Sequence, residues 1–441
     1  MPFSDLQIWI NHFPLLDDIT QLKPVTWINP YSKNMDEIKS LPVNIHDMED
    51  AQNLMRRFAP FLENAFSEIK ETKGLIETPL KEISLMRAAL NKYYNTKVAG
   101  RLFLKCDNEL PVAGSIKARG GFYEVLHYAE QLALHYGVLK ENDDYTIFGT
   151  QKFKDFFSEY SIGVGSTGNL GMSIGIMGAK LGFRTSVYMS ADAKEWKKNL
   201  LREKGAKVLE FSGDFGEAIN AGRRATIADP KGYFVDDENS KYLYLGYSTA
   251  AFELKNQLAA KGINVDSGHP LFVYSPCGVG GSPGGTAFGL KQLFGDNVHC
   301  FFVEPTHSPS VLIGLLTEKM EKVSVHDFGI DNITEADGLA VGRPSAFATA
   351  ISKLLISGDY TIEDADLFRL LYLLKNSENI SLEPSATAGL TGPGLIMQSG
   401  YIRDNNLNES NITQIVWATG GSLVPEKEMR GFYEKGKSLL I

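Results

Sequence analysis

The sequence predicts an α/β protein of two domains, each an open, mostly parallel twisted sheet flanked by helices, with a helical amino-terminal extension. Three observations lead there. Short β-branched or aromatic runs alternate with helical stretches of ten or more residues, the pattern of parallel strands joined by crossover helices. The runs are too numerous for one sheet. Two glycine-dense segments, GSTGNLG at 165–171 and CGVGGSPGG at 277–285, each follow such a run and precede a helix, the place where parallel sheets bind ligands.

In chain order, residues 1 to about 95 read as mainly helical. AQNLMRRFAPFLENAFSEI and TPLKEISLMRAALNKYY both place apolar residues at helical intervals, and this region is expected to pack on the larger domain. The expected strands are LFLK at 102, SIGV at 161, TSVYM at 185, KVLEF at 207, YFVD at 233, LFVYS at 271, HCFFVE at 299 and TQIVWAT at 413. The expected boundaries are 96–244 for the smaller α/β domain and 245–441 for the larger.

With 441 residues, 43% hydrophobic and 11% aromatic, the chain can bury two or three real cores. A net charge of -9 with no basic stripe argues against nucleic acid as a partner. The cluster Lys194, Lys197, Lys198, Arg202 and Lys204 reads as one solvated helix face. No segment reaches the roughly 20 consecutive apolar residues of a membrane helix; LGMSIGIMGAKLGF carries four glycines and a lysine. MPFSDLQIWINHFPLLDD lacks the basic start and cleavage site of a signal peptide. Cys106, Cys277 and Cys300 are too scattered for a disulfide framework and fit a reducing cytoplasm. The eight histidines form no HxxxH pair and the cysteines no CxxC, so zinc chemistry has no support in spacing.

The loop at 277–285 has the makings of a phosphate cradle. Glycines let the backbone turn tightly toward a ligand, consecutive amides point inward, and the following helix adds partial positive charge. A dinucleotide fingerprint is the rival reading, supported by Glu304 at the end of the next strand. Counting from Gly278, however, GxGxxG needs glycine at 283, where the chain has Pro283. The loop at 165–171 offers Ser166, Thr167, Gly168 and Asn169 at another strand-to-helix junction. It suits a carboxylate or phenolate oxygen, or its polar residues serve only as helix N-caps.

The remaining motif is GSIKARG, Gly114–Gly120, a lysine among small residues rather than on a charged helix face. A phosphate cradle, a second polar glycine loop and such a lysine together fit pyridoxal phosphate held as a Schiff base on Lys117. GSIKARG, GSTGNLG, CGVGGSPGG and WATGG occur in the order used by pyridoxal-phosphate enzymes of the tryptophan-synthase β-subunit fold, fold type II. This group includes serine and threonine dehydratases, racemases and synthases. Within it the chain resembles the D-serine dehydratase (D-serine ammonia-lyase) family over nearly its whole length, through RFAPFLENAF, LPVAGSIKARGGFYEVLHYAE, VDDENS, FFVEPTHSP, GIDNITEADGLAVGR and IVWATGGSLVPE.

The resemblance implies that Lys117, at an interdomain cleft, forms the Schiff base and moves the substrate α-proton. Asn169 is implied to bond the cofactor's phenolate oxygen, with Ser166, Thr167 and Gly168 receiving the substrate carboxylate. Gly278, Val279, Gly280, Gly281 and Ser282 are implied to hold the phosphate, and Thr419 to meet the pyridine nitrogen. A threonine hydroxyl can donate to an unprotonated ring nitrogen, giving a weaker electron sink that favours prompt elimination. The implied reaction is dehydration and deamination of D-serine to pyruvate and ammonia, extending to D-threonine and 2-oxobutanoate. The cofactor phosphate or Ser115 would protonate the leaving hydroxyl. Related enzymes bind a cation such as potassium near a strand-end glutamate, here Glu304, for which a salt bridge is an equal reading. Asp236 and Asp237 read as mostly structural, Arg119 as a structural charge. At Ser282 the family's loop has a third consecutive glycine, which raises the question of whether serine tolerates that backbone.

The alternatives are an L-serine or L-threonine dehydratase or serine racemase of the same fold, a nicotinamide-dependent oxidoreductase, and a pyridoxal-phosphate carrier without turnover. The expected partner is a small amino acid, with no nucleic acid or membrane, and the expected state is a cytoplasmic monomer or homodimer.

Overall fold

Among the described residues eleven strands occur in chain order: β1 (Thr26–Ile28), β2 (Leu80–Glu82), β3 (Arg101–Lys105), β4 (Ser161–Gly165), β5 (Arg184–Ser190), β6 (Lys207–Phe211), β7 (Gly232–Val235), β8 (Leu271–Pro276), β9 (Val298–Pro305), β10 (Gly358–Ile362) and β11 (Thr413–Trp417). They were located in a computed structural model that describes residues 6–140, 142–191, 193–211 and 215–440, the side chains of 215–218 excepted. The chain divides into two compact units. The larger comprises Met1–Ile45, Thr78–Glu109 and Ala250–Ile441, and the smaller His46–Glu77 and Leu110–Thr249. The division is interleaved, where the sequence reading placed three consecutive segments with boundaries at 95 and 244.

The larger unit is built on a seven-stranded sheet of order β1-β10-β9-β8-β11-β3-β2. Its five inner strands run parallel, and the three-residue β1 and β2 close the edges antiparallel. β8, β9, β10 and β11 are buried along their whole length, as strands covered on both faces must be. The smaller unit holds a four-stranded parallel sheet of order β6-β5-β4-β7.

The expected strand runs all fall on observed strands; β1, β2 and β10 are additional. The helix read over TPLKEISLMRAALNKYY begins only at Ser84, because Leu80–Glu82 pairs with β3. The long helix over AQNLMRRFAPFLENA is present as Ile45–Ala65 and carries Pro60 inside it. The basic cluster near 200 differs from expectation. Lys197 and Lys198 are buried on the helix Glu195–Glu203. Lys198 Nζ donates to Ala191 O at 2.7 Å, Glu195 Oε1 at 2.7 Å and Glu210 Oε2 at 2.8 Å, so packing against β6 turns part of the cluster inward.

Strand order places both glycine loops. In the larger sheet β8 lies between β9 and β11, and in the smaller β4 lies between β5 and β7, so each strand sits where the winding reverses. Ligands bind off strand carboxyl ends at such points. The loop after β8 is CGVGGSPGG and the loop after β4 is GSTGNLG.

In the smaller unit the helix Lys117–His135 packs against Lys241–Ser248. The crossing needs glycine on both sides. A Cβ on Gly120 would sit 2.5 Å from Tyr247 Cζ, and one on Gly246 2.7 Å from both Arg119 O and Gly120 Cα. The small residues after Lys117 therefore serve close helix contact. Gly246→Ala would press on this backbone and on Tyr123 Cβ at 2.9 Å, and should cost roughly 1–3 kcal/mol. Calorimetry would show this as a lower melting temperature, and an unchanged transition would refute the packing role.

Candidate active site

The smaller unit carries a lysine and a polar glycine loop. Gly114, at φ +60°, turns the chain into the helix that Lys117 begins. Ser115 is buried, and its Oγ accepts from the Lys117 amide at 3.3 Å. This hydroxyl shapes the turn that presents the lysine. The Lys117 side chain is 19% exposed; its Nζ lies 3.8 Å from Asp237 Oδ2 and 5.6 Å from the centre of the Tyr247 ring. Arg119 is buried, as a structural charge should be.

The loop after β4 leads into the helix Asn169–Leu181, whose N-cap is Gly168 and which has no side-chain cap. Ser166, Thr167 and Asn169 therefore do not cap it through their side chains, which removes the bland reading of this loop. Ser166 Oγ instead accepts from Gly168 N at 3.2 Å, and a Cβ on Gly168 would meet nothing within 4 Å. The first amides of a helix have no partner inside it, a setting for a carboxylate.

Asp237 is the residue that the sequence reading undervalued. β7 lies beside β4, so the chain leaving Val235 brings the VDDENS turn next to the Ser166–Asn169 loop. Asp236 is structural: it accepts from Glu238 N at 3.2 Å and pairs with Arg223 at 3.0 Å. Asp237 faces Lys117, and its Oδ1 is buried with no hydrogen-bond partner among the described residues.

Behind it stands Glu124, fully buried on the lysine's own helix. It accepts from Ser240 Oγ at 2.5 Å and Tyr233 OH at 2.8 Å. Burial pushes its carboxyl up to about 7, with Asp237 adding to the rise and the Ser240 and Tyr233 bonds opposing it. The signal available in sequence was two acids at a strand end in VDDENS; nothing local marks Glu124 or Tyr247.

The larger unit carries the second glycine loop and a hydroxyl. Gly280 takes φ +98° as the N-cap of the helix Gly281–Phe294, again without a side-chain cap. Gly281 and Ser282 occupy the first helical turn, where amides have no partner inside a helix, and Pro283 has no N–H to satisfy. The left-handed conformation falls on Gly280, while Ser282 is helical, so serine fits where the family's loop has glycine. Gly278 and Val279 precede this turn. The donor set suits a phosphate ester.

Thr419 lies two residues beyond β11, the strand next to β8, and is partly exposed. Glu304 ends β9 and is fully buried. Its Oε1 accepts from Val311 N at 2.9 Å and its Oε2 from Leu312 N at 2.7 Å, holding the start of the helix Ser310–Leu316. Burial beside Asp359 raises both carboxyls, Glu304 to about 8. Among the described residues no group of three or more His, Cys, Asp or Glu could hold a metal, and no helix is long and apolar enough to cross a membrane.

A family model described as "Pyridoxal-phosphate dependent enzyme" matches residues 72–407. A probable D-serine dehydratase of Bacillus thuringiensis (strain Al Hakam) is 54% identical over 433 residues, covering 97% of each chain. One from Geobacillus stearothermophilus is 52% identical over 443 residues, covering 99% of this chain and 96% of its own. Among solved structures, diaminopropionate ammonia lyase from Escherichia coli in complex with D-serine matches with TM-score 0.73 at 17% identity, covering 95% of this chain and 99% of its own. At that identity the likeness is one of fold.

Glu124 gives a stability prediction. Its carboxyl ionises near 4.5 unfolded and near 7 folded. Its contribution is therefore complete below the first value and lost as pH rises through the second. Between pH 5 and 8 the wild type should lose stability relative to Glu124→Gln, by up to about 1.4 kcal/mol per pH unit. Denaturant titrations at both pH values measure this; parallel losses would discard the assignment.

Proposed function

The chain belongs to the D-serine dehydratase family of pyridoxal-phosphate-dependent enzymes, and on that premise we propose that it is a D-serine ammonia-lyase, converting D-serine to pyruvate and ammonia, with D-threonine as a second substrate giving 2-oxobutanoate. The observation that carries the reading is 54% identity, over nearly the full chain, to a probable D-serine dehydratase. The setting of Lys117 beside an unpartnered carboxylate oxygen supports it.

The residues fit the cofactor. Lys117 would hold its aldehyde carbon covalently, and Gly278, Val279, Gly280, Gly281 and Ser282 its phosphate. Asn169 would meet its phenolate oxygen and Thr419 its ring nitrogen. When bound, pyridoxal phosphate supplies an electron sink that makes the substrate α-proton acidic enough to remove.

The remaining work falls to the protein. Ser166, Thr167 and Gly168, with the uncapped helix start behind them, bind and orient the substrate carboxylate. Lys117 Nζ takes the α-proton once its amine is free, and the Asp237 carboxylate at 3.8 Å steadies the ammonium that results. The second Asp237 oxygen is free to accept a hydrogen bond from the substrate β-hydroxyl. Ser115 Oγ is engaged by the Lys117 amide, and of the two groups Asp237 is the better placed to orient the departing hydroxyl. Thr419 would donate a hydrogen bond to the ring nitrogen without protonating it, which would favour prompt loss of that hydroxyl.

Pyruvate release from D-serine, L-serine and D-threonine, assayed side by side, tests the substrate. D-serine should be preferred, and equal turnover of L-serine would return the reading to the L-serine dehydratase or racemase branch. Lys117→Ala should lose at least about a thousandfold in kcat, and borohydride should no longer fix a chromophore on the chain. Full activity in that variant would refute the mechanism.

Potassium tests the cation role proposed for Glu304: a rise in kcat that Glu304→Gln abolishes supports it, and potassium-independent turnover sinks it. For the assembly we propose a monomer or homodimer, which sedimentation would resolve.

A further inference from the structure

We infer that a buried charged network in the larger unit positions the end of β11, and with it the Thr419 hydroxyl, for the ring nitrogen of the cofactor; this rests on the reading of Thr419 given above. Lys105, the last residue of β3, is completely buried. Its Nζ donates to Glu253 Oε1 at 2.6 Å, Thr78 O at 2.7 Å and Thr78 Oγ1 at 2.6 Å, and lies 3.8 Å from Asp107 Oδ1. Thr78 Oγ1 donates onward to Asp107 Oδ1 at 2.7 Å. The other Asp107 oxygen accepts from Trp417 Nε1 at 2.8 Å. Thr78 N closes the circuit to Glu253 Oε1 at 2.7 Å.

The network ends two residues before Thr419. Lys105 and Trp417 are register partners across β3 and β11. Beyond the strands, Ala418 N donates to Lys105 O at 3.0 Å and Ser422 N to Asn108 O at 3.3 Å. The stretch that carries Thr419 is therefore suspended from residues 105–108, which the network fixes through Lys105 and Asp107. A buried lysine between two carboxylates is a poor device for stability, since apolar side chains could fill the space at lower desolvation cost. What the charges add is a single geometry: each donor has a directional partner, and sliding β11 against β3 would strand Asp107 without the indole N–H. These are positioning residues, acting on the cofactor through Thr419.

The test uses the full-length chain and three variants: Trp417→Phe, which keeps the ring and removes one donor, Asp107→Asn, and the double variant. The readouts are the dissociation constant of pyridoxal phosphate for the apo form and the near-visible absorbance of the bound form. The melting temperature and the kcat and KM for D-serine complete the set.

Each single variant should raise the dissociation constant about tenfold, the scale of one charge-assisted hydrogen bond. It should also shift the absorbance band and lower kcat with KM within about twofold of wild type. The double variant should be no worse than the weaker single, because both break one link. A lowered melting temperature with wild-type affinity and absorbance overturns the inference, as do effects that multiply in the double. If Asp107→Asn does not fold, Trp417→Phe decides alone. A wild-type chain that fails to bind pyridoxal phosphate would instead sink the parent reading of the cofactor.

Discussion

Two helix starts with glycine at the N-cap, each following a strand where the sheet winding reverses, are the constraint on which the proposed chemistry depends. A helix leaves its first amides without internal partners, and most sequences offset this with a serine, threonine, aspartate or asparagine. This chain does so at Ser240 and Ser345, whose hydroxyls accept from Leu243 N and Ala348 N. At the helices Asn169–Leu181 and Gly281–Phe294 it does not: Gly168 and Gly280 stand at the N-caps, and both helices lie off strands where the sheet winding reverses. Such helix starts suit an anion, and the two anions of the proposed chemistry, a substrate carboxylate and a cofactor phosphate, match them in number and kind. Side chains that capped these helices would occupy the space the ligands need.

Charge at the lysine follows from the same economy of partners. Among the described residues Lys117 has one carboxylate at ion-pair distance, Asp237, with one oxygen left over. A second acid, Glu124, stands on the lysine's own helix, where burial raises its carboxyl to about 7 while two hydroxyls orient it. Ser240 links the two features, since it bonds Glu124 and also caps the helix that carries Tyr247 over the lysine. The polar cluster therefore shapes the surroundings of Lys117.

Much of this was legible in the sequence because the strands and glycine loops are local patterns. Hydrophobic runs such as LFVYS and HCFFVE need no partner to declare themselves, and the order of loops along the chain identifies the cofactor. β10 was not legible: GDYTI opens with a glycine and an aspartate, and Asp359 lies in a buried strand where burial beside Glu304, far away in sequence, raises its carboxyl well above the usual range and favours the neutral form. β1 and β2 are three-residue edges whose pairing is decided by β10 and β3 rather than by their own residues. Asp237 was legible as an acid at a strand end, but its direction toward Lys117 depends on β7 lying beside β4. The resemblance supplied roles for Asn169 and Thr419 that spacing could not, and it offered no hint of Lys105.

The position of the Lys105 network along the chain gives it a further meaning. The larger unit is assembled from three separate stretches, and the chain enters or leaves it at 45/46, 77/78, 109/110 and 249/250. Thr78 is the first residue after the second of these points, Asp107 precedes the third by two residues, and Glu253 follows the last closely. The network therefore ties both ends of the second stretch to the start of the last one, at the carboxyl ends of β3 and β11, two residues before Thr419. Hydrophobic contacts alone would hold such ends loosely, because short stretches leaving a sheet bury little apolar surface. Directional bonds to one buried ammonium fix them in a common register, and if Thr419 is the ring-nitrogen donor proposed above, that register matters more than the stability that an apolar filling would add.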